Sequence, residues 1–141
     1  MMQIAEHKIE VRYAETDQMG VVYHANYLVW MELGRMQLIR DLGFSYAAME
    51  ADGILSPVID IQASYKTPVR YGQIATVKTW IESYDGVRVV YGYEILDGNN
   101  ELAVTGQSSH VCVKKENFRP ISIKRLLPDW HEAYEKNKKL D

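Results

Sequence analysis

The chain has 141 residues, enough for one domain with its own core, since chains of this size bury roughly 68–70% of their unfolded surface. Its 47% hydrophobic and 25% charged residues are ordinary globular proportions, and a net charge of −3 without a basic stripe argues against a nucleic-acid partner. No apolar run reaches the roughly 18–20 residues that cross a bilayer, no secretory signal is evident from Met1 to Glu10, and the lone Cys112 cannot close an internal disulfide, so a cytoplasmic location is expected.

Ile9, Val11 and Tyr13 alternate with Lys8, Glu10 and Arg12, the period of a half-buried strand. Ala14 to Val22 reads as a loop, with Asp17 and Gly20 spaced as in a type I turn. From Tyr27 to Leu42 the apolar period becomes helical and covers most of the circumference, and Gly43 is placed for a left-handed C-terminal cap. A short helical turn is expected over Tyr46 to Ala51. Pro57 to Tyr65 reads as a strand. Ile74 to Ser83 and Arg88 to Leu96 flank an Asp85-Gly86 hairpin turn, and Gly98 to Asn100 marks the next turn. Leu102 to Lys114 reads as one long strand, and residues 128–139 as a short closing helix with Pro128 in its first turn. A helix apolar on three sides asks for a sheet that curls round it, an α+β arrangement within a single domain, 1–141. Ten tyrosines against two phenylalanines suggest rings with one end at water or a polar partner.

The stretch from Tyr13 to Tyr27 holds two carboxylates, a histidine and three tyrosines beside the start of the long helix. A helix start offers unpaired N–H groups and partial positive charge, which can stabilise charge developing on a carbonyl oxygen. A nearby carboxylate can attack that carbonyl or activate water. The residues alone leave other roles open: Asp17 as a turn former, His24 and Asn26 as caps or loop pins.

This segment resembles the signature of the 4-hydroxybenzoyl-CoA thioesterase family of hotdog proteins. The shared pattern is Asp17, Gly20 three residues on, the apolar pair Val21-Val22, and then Tyr23-His24-Ala25-Asn26-Tyr27 leading into the helix. Ser64 to Gly72 resembles the family's second recurrent segment, and the order of elements agrees from about residue 5 to 125. Gln73 departs from the Asp that relatives often carry there. The resemblance implies a hotdog fold, a curved antiparallel sheet of about five strands wrapped round one long central helix, and hydrolysis of acyl-CoA thioesters without cofactor or metal. By position, Asp17 resembles the essential carboxylate, acting as nucleophile or general base. The His24 backbone N–H resembles the group that polarises the carbonyl, and the Tyr23 and His24 side chains line the reacting end.

Lys66, Arg70 and Arg88 are candidates for the CoA phosphates, with a solvated strand face as the plainer role, and Asn26 is a further substrate-binding candidate. His110 reads as a satisfied core or surface histidine and Cys112 as buried packing. The four histidines, one cysteine and scattered acids show no metal-ligand spacing. A hotdog hydratase, a non-catalytic acyl-CoA-binding module and an acyl-carrier-protein thioesterase rank below the acyl-CoA hydrolase. The apolar central helix and the apolar Pro57 to Tyr65 edge point to a homodimer or homotetramer with shared sites.

Overall fold

The computed structural model describes residues 2–140. A five-stranded antiparallel sheet has the order β1-β4-β5-β6-β3, built from β1 (Ala5–Glu10), β3 (Val58–Tyr65), β4 (Ile74–Tyr84), β5 (Arg88–Leu96) and β6 (Leu102–Val111). A small second pair joins β2 (Ile54–Leu55) to β7 (Val113–Lys114). The long helix α1 (His24–Asp41) packs on β1, β4 and β5, and Trp30, Met31 and Leu38 share one buried core with Val77, Ile81 and Ile95. Short helices α2 (Tyr46–Ala51), α3 (Ile123–Leu126) and α4 (Pro128–Asn137) cover the end of α1 away from its N-terminus. This is the α+β fold expected, with the sheet wrapped on the central helix. No helix among the described residues is long and apolar enough to cross a membrane.

Close approach of helix to sheet depends on Gly34. A Cβ there would meet Val77 Cγ1 at 2.7 Å and press on Thr79 Oγ1. Gly43 ends α1 at φ +93°, a conformation that glycine adopts without a Cβ clash, and its N–H donates to Arg40 O at 2.9 Å. At the Asp85-Gly86 hairpin, Asp85 Oδ1 accepts from the N–H groups of Val87 (3.0 Å) and Arg88 (2.7 Å).

Four boundaries differ from the sequence expectation by more than one residue. The first strand ends at Glu10, and Tyr13 opens a 3-10 turn (Tyr13–Glu15) in which Glu15 accepts from Arg12 N at 2.9 Å. The central helix begins at His24 rather than Tyr27, since Asn26 is already bonded into its first turn. The long strand after the Gly98 turn breaks at Cys112, where the chain leaves the main sheet to pair β7 with β2. Helix α4 stops at Asn137, and Lys139 pairs with Glu82 at 3.1 Å.

Tyrosines carry much of the internal polar bonding. Tyr91 and Tyr134 hydroxyls meet at 2.6 Å, Tyr93 meets Ser108 Oγ at 2.6 Å, and Tyr84 meets His131 Nδ1 at 2.7 Å. Burial pushes the pKa of each of these tyrosines up, so all stay protonated.

Candidate active site

Glu15 organises the loop before α1. It is buried, its Oε2 accepts from Trp30 Nε1 at 2.8 Å, and its backbone O accepts from Tyr23 N (2.9 Å) and Asn26 Nδ2 (2.8 Å). Burial acts to raise its pKa. The bonds from Trp30 and Arg12 N and the Arg12 guanidinium outweigh it and hold the carboxyl below its usual range. One residue thus ties the loop to both the helix start and the helix interior.

Beyond that anchor the chain makes a tight turn. Thr16 and Val22 pair, Asp17 N donates to Val21 O at 2.9 Å, and Gly20 N donates to Asp17 O at 3.0 Å. Gly20 adopts φ +78°, which explains the glycine three residues after the aspartate. Val21 pairs with Arg70, and Val22 N donates to Val69 O at 2.8 Å, so the turn is docked on the segment after β3. Asp17 Oδ1 accepts from Met19 N at 2.8 Å. No donor among the described residues is bonded to its other oxygen.

Asp17 therefore lies at the rim of a cleft of about 330 Å³, lined also by Val22, His24, Tyr27, Tyr65 and Lys66. His24 is the first residue of α1, so its N–H belongs to the first helical turn, which no preceding helical carbonyl can satisfy. The His24 ring lies 4.5 Å from that of Tyr23 and 6.1 Å from that of Tyr65. Tyr27 Oη accepts from Val69 N at 3.2 Å. Burial, reinforced by Tyr65 and the Asp17 carboxylate, pushes the Tyr27 pKa up against that bond.

Of the candidates read from the sequence, Asp17, His24 and Lys66 meet at this cleft, with Tyr23 against His24 and Arg70 on the segment that docks the turn. The Asn26 side chain is engaged by Glu15 O, a loop-pinning role. Arg88 lies elsewhere in the molecule. It pairs with Val111, seven residues along β6 from the Val104 that faces Tyr65, roughly 23 Å at the usual strand rise. Gln73 plugs a turn by accepting from Arg70 N at 3.0 Å. Among the described residues no three of His, Cys, Asp and Glu gather as metal ligands.

Sequence reasoning passed over two buried charges, Glu15 and Arg35. For Glu15 a signal existed: an acid fifteen positions before a tryptophan, across a loop that must fold back on the helix. Arg35 sits between Gly34 and Met36 on the helix, and only the sheet's wrap shows that its face is enclosed.

The model of the thioesterase-like superfamily matches residues 11–132. The chain belongs to that superfamily. It is 60% identical to the putative acyl-CoA thioesterase YneP of Bacillus subtilis strain 168, over 98% of this chain and all of that one. It is 29% identical to the acyl-CoA thioester hydrolase YbgC of Escherichia coli O6:H1, over 84% of this chain and 89% of that one. A solved DHNA-CoA thioesterase from Staphylococcus aureus superposes with a TM-score of 0.92 at 50% identity, covering 94% of this chain and 89% of that chain. The protein is thus a thioester hydrolase by family, with the hotdog architecture that the motif implied.

Proposed function

We propose that the protein hydrolyses acyl-CoA thioesters at the Asp17 cleft. The observation that carries this reading is the position of Asp17. One carboxylate oxygen is fixed by Met19 N and the other is left unbonded, beside the first turn of α1 and at the mouth of a cleft. The N–H of His24, with the positive end of the helix, stabilises the oxygen of the thioester carbonyl as it becomes negative. The free oxygen of Asp17 acts on the carbonyl carbon. It either bonds to that carbon, giving an anhydride that water then cleaves, or takes a proton from the water that attacks. In both routes the C–S bond breaks, the sulfur leaves as thiolate and takes up a proton, and the acyl group leaves as carboxylate. A thiolate leaves without a strong acid, so one carboxylate and one N–H dipole suffice. We assign the anionic parts of CoA to Lys66, which lines the cleft, and Arg70, which lies beside the turn.

The test is release of free thiol from a panel of acyl-CoAs by purified protein, repeated with Asp17→Asn. The asparagine Oδ1 still accepts from Met19 N, so the turn and the melting temperature should hold. Turnover should fall by at least about a hundredfold, the scale for loss of a positioned base or nucleophile. Near-normal turnover by the variant would remove Asp17 from the mechanism.

The site is further proposed to be shared between two copies. Strand β3 is a bare edge, with Val58, Ile59 and Ile61 exposed, and Val29 and Leu33 lie uncovered on α1. Pairing β3 with its symmetry mate gives one continuous sheet and an isologous interface.

A further inference from the structure

The oxidisable sulfurs of the chain, six methionines and one cysteine, are unequally sheltered. Met31, Met49 and Cys112 are at most 4% exposed, and Met2 and Met36 are partly buried. Met1 lies outside the described residues. Burial also pushes the Cys112 thiol up, away from the reactive thiolate. Met19 differs from all of these, at 76% exposed. It belongs to the turn from Asp17 to Gly20, and its own N–H holds Asp17 Oδ1 at 2.8 Å.

A single apolar side chain open to water needs no explanation by itself. Its placement sets Met19 apart. The residue lines the cleft of about 330 Å³ that also holds Asp17 and His24. Val21, Val22, Tyr27 and Pro68 line the same cleft, so the Met19 thioether carries an apolar wall out to the solvent. A flexible, polarisable thioether at that place can pack against the arm of an entering ester. The same exposure opens its sulfur to a small oxidant from the solvent side, while the other described sulfurs are shielded by the fold.

We propose that Met19 is a reversible oxidation site through which peroxide lowers the activity of the Asp17 cleft. The control of activity rests on the acyl-CoA thioesterase reading of that cleft. Hydrogen peroxide is the simplest oxidant of the class. A lone pair of the Met19 sulfur bonds to one peroxide oxygen and the O–O bond breaks. The other oxygen leaves with both hydrogens as water, so the peroxide is reduced by the two electrons that the thioether gives up. The product is a sulfoxide. Its S–O dipole makes a polar, hydrated group of what was apolar wall, and the ester arm loses that contact. Sulfoxide reductases return the thioether, and the open turn gives both reactions access.

The experiment treats the purified protein with graded hydrogen peroxide, removes the excess with catalase, and divides each sample between peptide mass spectrometry and thiol release from an acyl-CoA. The Met19 peptide should gain one oxygen before those of Met2, Met36, Met31 and Met49. kcat/KM should fall in step with it, by about tenfold at full conversion, the scale for losing most of one apolar side-chain contact. The two methionine sulfoxide reductases together should restore it. Met19→Leu, compared with its own untreated state, should keep its kcat/KM at doses that convert Met19 fully in the wild type. Unchanged activity with Met19 fully converted overturns the inference. So does equal inactivation of Met19→Leu, which would move the effect to Cys112 or another methionine. A Met19 that stays reduced while Met2 and Met36 oxidise overturns it as well, and would show that a second copy covers the turn. If the untreated protein releases thiol from no acyl-CoA, the thioesterase reading fails and the control of activity with it, and the order of oxidation alone upholds or overturns Met19 as the oxidation site.

Discussion

His110 shows how one buried side chain sets a pH dependence. Burial first, then the Arg35 cation, lowers its pKa from 6.5 to about 4, against a weak opposing bond to Ser56 O. The tautomer that serves most neighbours carries its proton on Nδ1, facing Ser56 O, and leaves Nε2 to accept from Ser108 or Arg35. The unfolded chain therefore binds the proton first as pH falls. Stability contributed by neutral His110 is complete above pH 6.5 and declines down to about pH 4, by up to roughly 3 kcal/mol. Glu15 behaves in the same direction at lower pH: its carboxyl is held below 4.5, so its contribution is present above that value and is lost as pH drops through its folded pKa. Urea melts of wild type and His110→Gln between pH 7 and 4 separate the two. The variant, lower at pH 7, should lose less stability across that window. A parallel decline in both proteins would assign the acid sensitivity to the carboxylates. The sequence left His110 as a satisfied core or surface histidine and could not show Arg35 as its partner. Two residues 75 positions apart meet only because β6 lies under α1.

At the scale of elements, the periodic parts were readable and the joints were not. The apolar run of α1, the Asp85-Gly86 hairpin and Pro128 at the start of α4 declare themselves, because each rests on local chemistry. The early end of β1 does not. Val11 continues the alternation and is buried, yet its N–H goes to Gln73 O, outside any regular ladder. Likewise β2 is two residues long and exists only because β7 is beside it. The Asp17 motif was legible through resemblance, while its support by Glu15 is tertiary. The α1–sheet contact yields a direct test. Gly34→Ala improves helix propensity, yet its methyl would overlap Val77 and Thr79 side chains from β4. Overpacking of this kind costs about 1–3 kcal/mol, so the melting temperature should fall by several degrees. An unchanged or raised melting temperature would mean that helix and sheet separate there without penalty.

The whole molecule carries more surface than its mass accounts for. The single chain exposes 8153 Å², against about 7,500 Å² expected for a folded monomer of 16.3 kDa. Part of that surface is apolar: Val58, Ile59 and Ile61 on β3 are 38–48% exposed, and Val29 and Leu33 on α1 are 51% and 40% exposed, with Val29, Val58 and Ile61 lining one cavity. Helix α4 does not cover them. Trp130 stacks on Phe44 at 4.7 Å and Tyr134 is buried against Tyr84 and Tyr91, at the other end of α1. β3 is also an edge strand with unpaired N–H and C=O groups along an apolar row, which soluble proteins cover or blunt. A two-fold pairing of β3 with itself would cover both and would set the Tyr65 side of each Asp17 cleft towards the seam. Sedimentation should therefore give twice or four times 16.3 kDa at micromolar concentration. Ile59→Lys on that edge should shift the protein towards monomer. Turnover should fall in step with the dimer fraction, although Ile59 lines neither the Asp17 cleft nor the cavity between α1 and β3. A wild-type monomer with full activity would show that each cleft works alone.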